Sequence, residues 1–519
     1  MATIAVHNPR TGQFLYEVEE AGDAAVTAVF QRARAVQPQI AALSVEERAR
    51  EIVKISDYLV AHREVIIDRL VAETGKTRFE ALSNELFEVC GGIDYFRDAA
   101  PKILADRKAP TPLVLMGKKS KIVFEPLGTV LVIAPWNYPL VQCFTPSLQA
   151  FLAGNAVVFK PSEVTPLHGL YEEIMRGAGF MPDAIQIVYG GKEVGARLIQ
   201  QRPDKIHFTG STRAGRQVMA AAAEHLIPVE LELGGKDAAV VFADVDVVKA
   251  ANGIAWAAFT NAGQACTAVE RCFVEEPIYE QFVAEAVKIA QNLRVATAKQ
   301  DGRMPDTCDM GAMTAEFQVQ IVEKQLAEAV AAGATVLCGG ARQPDSLFFP
   351  PTVVVDVTQE MALGREETFG PVLPIMTFQT EAEAIALAND SPYGLGASVW
   401  SADLVQAERV ARALKVGNVA INNHMLTEAN PAPPYGGVKA SGYGRYKGDW
   451  GLIGFSNVKA MMIGGSNDHI ESHWYPFTPT KYALFGRLME TFFRRPRAWV
   501  GFLRSALPFD SLGSKEKIQ

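Results

Sequence analysis

From Ile122 onward the chain falls into short β-rich runs separated by helix-length segments, and this alternation restricts the possible folds more than any other feature of the sequence. Candidate strands lie at 128–133, 156–159, 185–189, 205–208, 229–233 and 238–242. Apolar runs alternating with helices predict a parallel sheet covered on both faces, which binds nucleotides at the carboxyl ends of its strands. Beyond the break at Gly234-Gly235 a second α/β region is expected, with helices near 277–293 and 317–332 and strands at 334–337, 352–355, 372–378 and 418–421. Upstream, apolar residues recur at helical spacing from Val26 through Phe30, Ile52 and Leu59 to Leu70, predicting two or three amphipathic helices over 22–74. Another helix begins near Leu86 and is expected to stop at Pro101. Pro110, Pro112, Gly117 and four lysines mark 108–121 as an exposed hairpin. A chain of 519 residues exceeds what one core serves, so two or three domains are expected.

Charge and cysteine usage exclude several functions. A formal net charge of -8 leaves no electrostatic footprint for nucleic acid. The six cysteines, Cys90, Cys143, Cys266, Cys272, Cys308 and Cys338, show no Cys-x-x-Cys spacing, which argues against a disulfide framework and against a metal site. Met1 to His7 has no charged segment leading into an apolar core, and Pro135, Asn137 and Pro139 interrupt the best candidate for a spanning helix. A cytoplasmic protein is expected.

One thiol stands out by position. Cys266 lies in Asn261-Ala262-Gly263-Gln264-Ala265-Cys266-Thr267, just after the apolar run 254–259. Upstream, Glu232 directly precedes Leu233 and a glycine pair that lets backbone approach a ligand. A thiolate nucleophile and a carboxylate base suit chemistry that makes and then hydrolyses a thioester. Taken singly, a cysteine is more often a small buried hydrophobe and a glutamate beside Gly-Gly a turn residue.

Seven segments, in order, resemble the aldehyde dehydrogenase superfamily: Pro135-Trp136-Asn137, Lys160-Pro161-Ser162-Glu163, Phe208-Thr209-Gly210-Ser211, Glu232-Leu233-Gly234-Gly235-Lys236, Gly263-Gln264-Ala265-Cys266, Glu367-Thr368-Phe369-Gly370-Pro371 and Pro434-Tyr435-Gly436-Gly437. The resemblance implies a Rossmann-type parallel-sheet cofactor domain over 1–233, carrying an oligomerisation hairpin at 108–124, then an α/β catalytic domain over 234–435. A return segment over 436–465 and an extension over 466–519 complete the chain. By the same resemblance Cys266 is the nucleophile, Glu232 the base, and Asn137 holds the substrate oxygen. A cofactor, NAD, would meet Ile133, Pro135, Trp136, Lys160, Ser162, Glu163, Gly191, Gly210, Ser211, Gly215, Leu233, Glu367 and Phe369. The G-x-G-x-x-G fingerprint is absent; in its place Lys160 and Glu163 follow a strand and can reach ribose hydroxyls, while Ser211 opens a helix whose N–H groups suit pyrophosphate. Glu163 would repel a 2′-phosphate, which favours NAD over NADP.

The expected reaction is oxidation of an aldehyde to the acid. Its rivals are transfer of the acyl group to coenzyme A on the same fold, and a catalytically retired structural or binding protein. Three departures from the family stand out: Ala265 before the thiol, the charged pair Glu270-Arg271 after it, and the long C-terminal extension. Tyr138, Gln142, Thr267 and the loop at His424 and Met425 are expected to line the entrance, with His424 structural rather than a base. Over 481–504 the extension sets Lys481, Arg487, Arg494, Arg495, Arg497 and Arg504 against only Glu490, among six aromatic rings. That density suits either peripheral membrane contact through 481–510, which would favour medium- or long-chain apolar aldehydes, or docking on the protein itself or over its entrance. Pro496 is expected to divide it into two short helices. The hairpin's edge predicts a homo-oligomer, with a dimer favoured.

Overall fold

The structure is a computed structural model describing residues 2–115, 117–296, 307–465, 470–495 and 497–516. It divides into two compact units, residues 1–105 with 124–458, and residues 106–123 with 459–519.

In the larger unit a six-stranded sheet runs in the order Gly442–Tyr443, Val229–Glu232, Lys205–Thr209, Thr129–Ile133, Ala156–Lys160, Ile185–Ile187. All pairs are parallel except that of Gly442–Tyr443 with Val229–Glu232. Thr129–Ile133 and Ala156–Lys160 are buried at every position, as continuous apolar runs in a covered parallel sheet require. The chain builds outward from Thr129–Ile133 in one direction, then returns to build from Lys205–Thr209 in the other. Between these two strands the order reverses, leaving a crevice at their carboxyl ends.

A second sheet of seven strands runs Thr335–Cys338, Thr352–Val355, Val372–Phe378, Val269–Glu275, Asp237–Val241, Gly396–Trp400, Asn418–Ile421. Val269–Glu275 and Gly396–Trp400 were not anticipated. The first opens on the charged pair Glu270-Arg271, which masks an otherwise apolar run. The second is short and begins with three small residues. Each sheet has its own apolar core.

Where two or three helices were expected, the N-terminal region forms three, Asp23–Ala42, Val45–Ala61 and Arg63–Thr74. A reciprocal cap between Ser44 and Glu47 starts the second. Helix Glu88–Ile103 does not stop at Pro101 but carries it in its last turn, giving up one backbone hydrogen bond just before the helix ends. It is preceded by a wide π-turn, Leu82–Phe87, that no periodicity announces.

In the smaller unit Arg107–Ala109 and Lys119–Pro126 form the expected antiparallel hairpin, with Ser456–Ile463 as the third strand of their sheet. Helices Pro479–Phe493 and Trp499–Lys515 flank Pro496, which lies outside the described residues. They pack through Phe485 on Phe509 and Phe492 on Phe502, ring centroids 5.4 and 5.1 Å apart. Among the described residues no helix is long and apolar enough to cross a membrane, and no group of three His, Cys, Asp or Glu side chains could hold a metal ion. All six cysteines are free.

Candidate active site

The segment leading to Cys266 has an unusual backbone. Helix Val247–Phe259 runs into a turn in which Asn261, Ala262 and Gly263 all take positive φ, 52°, 55° and 71°. At Gly263 the conformation and the space agree: a Cβ there would lie 2.1 Å from the Gly370 carbonyl. Distant groups hold the turn. The Asn261 N–H donates to Glu80, its side-chain amide donates to the carbonyls of Asn137 and Gln264 (3.1 Å each), and Gln264 Oε1 accepts the Thr314 N–H at 2.9 Å. Cys266 Sγ emerges 3.5 Å from the Tyr435 hydroxyl. Burial pushes its thiol well up, Glu428 adds to this, and the Tyr435 hydrogen bond opposes it.

Asn137 follows strand Thr129–Ile133, just ahead of helix Pro139–Leu152 with Pro139 at its first position. Its carbonyl accepts from the buried Lys76 ammonium at 2.9 Å, and Lys76 in turn meets Glu85 at 2.6 Å. The other Glu85 oxygen accepts the N–H groups of Leu140 and Val141, 3.0 Å each, so a carboxylate sits at the helix N-terminus and fixes it. The Asn137 side chain donates one N–H to the Gln264 carbonyl at 3.0 Å, and an amide has a second N–H to give.

Glu232 ends its strand with both carboxyl oxygens buried and without a hydrogen-bond partner among the described residues. Burial pushes the carboxyl well above the ordinary range, Glu230 adds to this, and Arg445 and Lys447 oppose it. The loop bearing Tyr435 passes directly over it: a Cβ on Gly436 would lie 2.7 Å from Glu232 Oε1.

These three residues share one cavity of about 700 Å³ with Ile133, Pro135, Trp136, Lys160, Ser162, Glu163, Gly210, Ser211, Leu233, Glu367 and Phe369. Gly191 and Gly215 do not line it. Gly191 caps helix Lys192–Gln200, and Gly215 is a packing glycine whose Cβ would strike Leu233 at 2.6 Å. Lys160 donates to the Pro161 and Gly190 carbonyls at 2.8 and 2.6 Å and lies 3.6 Å from Glu163. Burial lowers its pKa. The Ser211 hydroxyl caps helix Thr212–Ala223 through the Ala214 N–H at 3.3 Å. The Trp136 ring meets Phe369 at 5.3 Å and Phe317 at 6.1 Å. Glu367 accepts the Gly235 N–H at 3.1 Å, and burial, then Glu270, push its carboxyl up to about 8.

An NAD molecule fits these residues. A helix N-terminus suits pyrophosphate, an ammonium beside a carboxylate at a strand end suits ribose, and an aromatic wall suits a flat ring.

The charged pair Glu270-Arg271 proves to be buried scaffolding. Glu270 Oε2 accepts Lys236 Nζ at 2.8 Å and the Thr368 N–H at 2.7 Å, and Oε1 accepts the Phe369 N–H at 2.8 Å. Arg271 donates to the carbonyls of Lys236 (3.0 Å) and Ala388 (2.9 Å). Sequence reasoning missed this role, although two charges opening an apolar strand were a signal for it. It also missed Tyr435, Tyr446 and Arg213 as lining residues. Gln142 lines the cavity, whereas Tyr138 and Thr267 are not among its lining residues and the Tyr138 ring lies over the Lys76 ammonium at 4.4 Å. His424 Nε2 bonds the Thr267 carbonyl at 2.8 Å, and burial lowers its pKa to about 4, so it is a neutral structural imidazole.

The family model described as the Aldehyde dehydrogenase family matches residues 1–461. The chain is 38% identical over 487 residues to the 4,4'-diapolycopene aldehyde oxidase of Methylomonas sp, spanning 93% of this chain and 90% of that protein. It is 42% identical over 386 residues to the peroxisomal aminoaldehyde dehydrogenase 2 of Pisum sativum, covering 73% and 75%. The NAD+ complex structure of an aldehyde dehydrogenase from Bacillus cereus superposes with a TM-score of 0.84 at 33% identity, covering 89% of this chain and 93% of that one.

Proposed function

The chain belongs to the aldehyde dehydrogenase family and oxidises aldehydes with NAD, and from that premise we propose that Cys266 is the nucleophile, Asn137 the oxyanion donor and Glu232 the hydrolytic base. The observation that carries this reading is the meeting of all three in one cavity, with both Glu232 oxygens unpartnered. NAD, when bound, supplies the acceptor for the hydride. Cys266 Sγ, as the thiolate that each turnover returns, bonds to the aldehyde carbon as the carbonyl π bond breaks onto oxygen, while the second Asn137 N–H and the Cys266 backbone N–H hold the oxygen that becomes negative. Each such donor contributes about 3–4 kcal/mol. Once the carbon has lost its hydride, Cys266 holds a thioester. Glu232 takes a proton from water, the hydroxide adds to the thioester carbon, and the C–S bond breaks to return the thiolate. Coenzyme A as acceptor would have no need of such a base.

Cys266→Ser should abolish oxidation without unfolding the protein. Glu232→Gln should pass one hydride and then stall as acyl-enzyme, giving a burst of reduced cofactor in rapid mixing followed by little turnover. Steady turnover at the wild-type rate in either variant would overturn the assignment.

For the substrate, we infer an apolar aldehyde of medium or long chain. The support is the exposed apolar face of the C-terminal helix pair, which suits a substrate met at a bilayer surface; the Methylomonas relative is named for a diapolycopene aldehyde, the Pisum one for an aminoaldehyde. A panel of aldehydes should show efficiency rising with chain length, and a preference for an aminoaldehyde would refute this.

The exposed apolar face of the C-terminal helix pair supports peripheral membrane contact: Tyr482, Phe485, Met489, Phe493, Val500, Leu503 and Leu507 are all exposed, among Arg487, Arg494, Arg495 and Arg504. The same reading makes the protein a cytoplasmic homodimer with a cofactor domain over 1–233, a catalytic domain over 234–435, a return segment over 436–465 and a membrane-facing extension over 466–519.

A further inference from the structure

Beneath Glu232 lies a line of buried polar side chains that the reaction above does not use. Lys205-Ile206-His207-Phe208-Thr209 and Val229-Glu230-Leu231-Glu232 both alternate in polarity. With a period of two, Lys205, His207 and Thr209 share one face of their strand, and Glu230 and Glu232 share the same face of the next. The parallel register sets His207 beside Glu230 and Thr209 beside Glu232, strands about 4.8 Å apart.

The side chains form a chain of contacts. Lys205 Nζ donates to Glu230 Oε2 at 2.6 Å and to the Gly454 carbonyl at 2.7 Å. Glu230 Oε1 faces His207 Nδ1 across 3.5 Å, and neither atom has a hydrogen-bond partner among the described residues. The other ring nitrogen, Nε2, lies 3.4 Å from Thr209 Oγ1. His207 is fully buried and Glu230 nearly so. Native interiors rarely leave polar atoms unpaired, and here four, Glu230 Oε1, His207 Nδ1 and both Glu232 oxygens, lie on one sheet face. An ion pair of Lys205 with Glu230 alone would account for none of them.

We propose that Thr209, His207 and Glu230 form the proton outlet of Glu232, acting through it as positioning residues. The proposal rests on Glu232 being the hydrolytic base. After Glu232 has taken a proton from water, its O–H donates to a second water, that water to Thr209 Oγ1, and the Thr209 hydroxyl gives its own proton to His207 Nε2. Three O–H bonds break, two O–H and one N–H form, and Glu232 is again a carboxylate; once the acid has left, the proton returns along the same line to water in the cavity that Thr209 and Glu232 both face. The imidazolium so made is held by Glu230, towards which its Nδ1–H points. The tautomer that serves carries its resting proton on Nδ1, so Nε2 is open to accept. Glu230 stays ionised and so can hold that charge, since Lys205 and His207 outweigh the upward push of burial and keep its carboxyl below its ordinary value. The charged and titratable groups around the line are Lys205 and Glu230 on the strands, Arg445, Tyr446 and Lys447 on the return segment, and Glu88, which pairs with Lys447 at 2.7 Å. The Tyr446 ring stands 5.4 Å from that of His207.

The test requires no cofactor. A chromogenic ester, p-nitrophenyl acetate, acylates Cys266 and releases one p-nitrophenolate per site, after which the steady rate reports thioester hydrolysis. His207→Gln and Thr209→Val should keep the burst but lower the steady rate by about ten-fold or more, less than the 10²–10⁴-fold typical for a general base itself. A curved dependence of that rate on the deuterium fraction of the solvent should become linear in both variants. Glu230→Gln removes the negative charge facing Glu232 and should move the acid limb of the steady rate to lower pH. Thr209→Val keeps the shape of the side chain, so it carries the test if His207→Gln fails to fold. Wild-type hydrolysis and isotope curvature in Thr209→Val would overturn the outlet. If Glu232→Gln still stalls in that case, the base assignment stands without it, whereas wild-type hydrolysis in Glu232→Gln would remove both.

Discussion

At the scale of single residues, the site is held from behind by buried charges whose partners come from far along the chain. Lys76 carries no exposed side-chain surface and meets Glu85 and the Asn137 carbonyl. Lys76→Met should destabilise the fold by about 3–5 kcal/mol, because Glu85 is then a buried charge without its partner; denaturant unfolding measures it, and a loss within about 1 kcal/mol would contradict the account. His424 gives a pH signature. Its folded-state pKa is about 4 against 6.5 for the free side chain, and its Nδ1 has no acceptor for a second proton. The native state therefore binds fewer protons than the unfolded chain between those values. Its contribution is fully present above pH 6.5 and is lost as pH falls towards 4, by about 3 kcal/mol. Unfolding of wild type and His424→Gln across pH 4–8 should show the two diverging only on the acid side.

At the scale of elements, strand Val269–Glu275 ties the nucleophile's end of the second sheet to the loop that carries Glu367 and Phe369. Glu270→Gln should destabilise the fold by about 3–5 kcal/mol, because the buried Lys236 ammonium loses its counter-charge, and should raise KM for NAD by roughly ten-fold, since one acceptor shared by Lys236 and Thr368 is weakened. An unchanged KM would show that the loop is held by other means. The elements most legible in the sequence were those with uninterrupted apolar runs, such as Thr129–Ile133 and Ala156–Lys160, because a covered strand needs no alternation. Val269–Glu275 was hidden by Glu270 and Arg271, whose partners lie up to 119 residues away and leave no local trace. The family motifs likewise pointed to Cys266, Glu232 and Asn137, and included Gly436 without its place over Glu232, but did not point to Glu85 or Asn261. Those act through backbone carbonyls, N–H groups and close approach, for which residue type alone is a weak guide. His207 and Glu230 were readable as strand residues and unreadable as a pair, since the pairing depends on register.

At the scale of the whole molecule, the proposed membrane contact rests on the C-terminal helix pair and the proposed dimer on the hairpin Arg107–Ala109 with Lys119–Pro126. Liposomes carrying anionic lipid should co-sediment the full chain but not a version ending at Gly465. Equal, negligible binding by both would remove the membrane reading, and light scattering that reports a monomer would remove the dimer. The left-handed turn before Cys266 also forms late. Ala262 tolerates its backbone only because Glu80, 181 residues before Asn261, and Asn137, 124 residues before it, grip the turn, while Gly370 closes over Gly263 from about a hundred residues later. Glu80 and Asn137 are already made when the turn leaves the ribosome, but Gly370 is not. During synthesis the turn is therefore closed over only after the chain has extended past that loop, and the geometry around Cys266 arrives together with the finished fold.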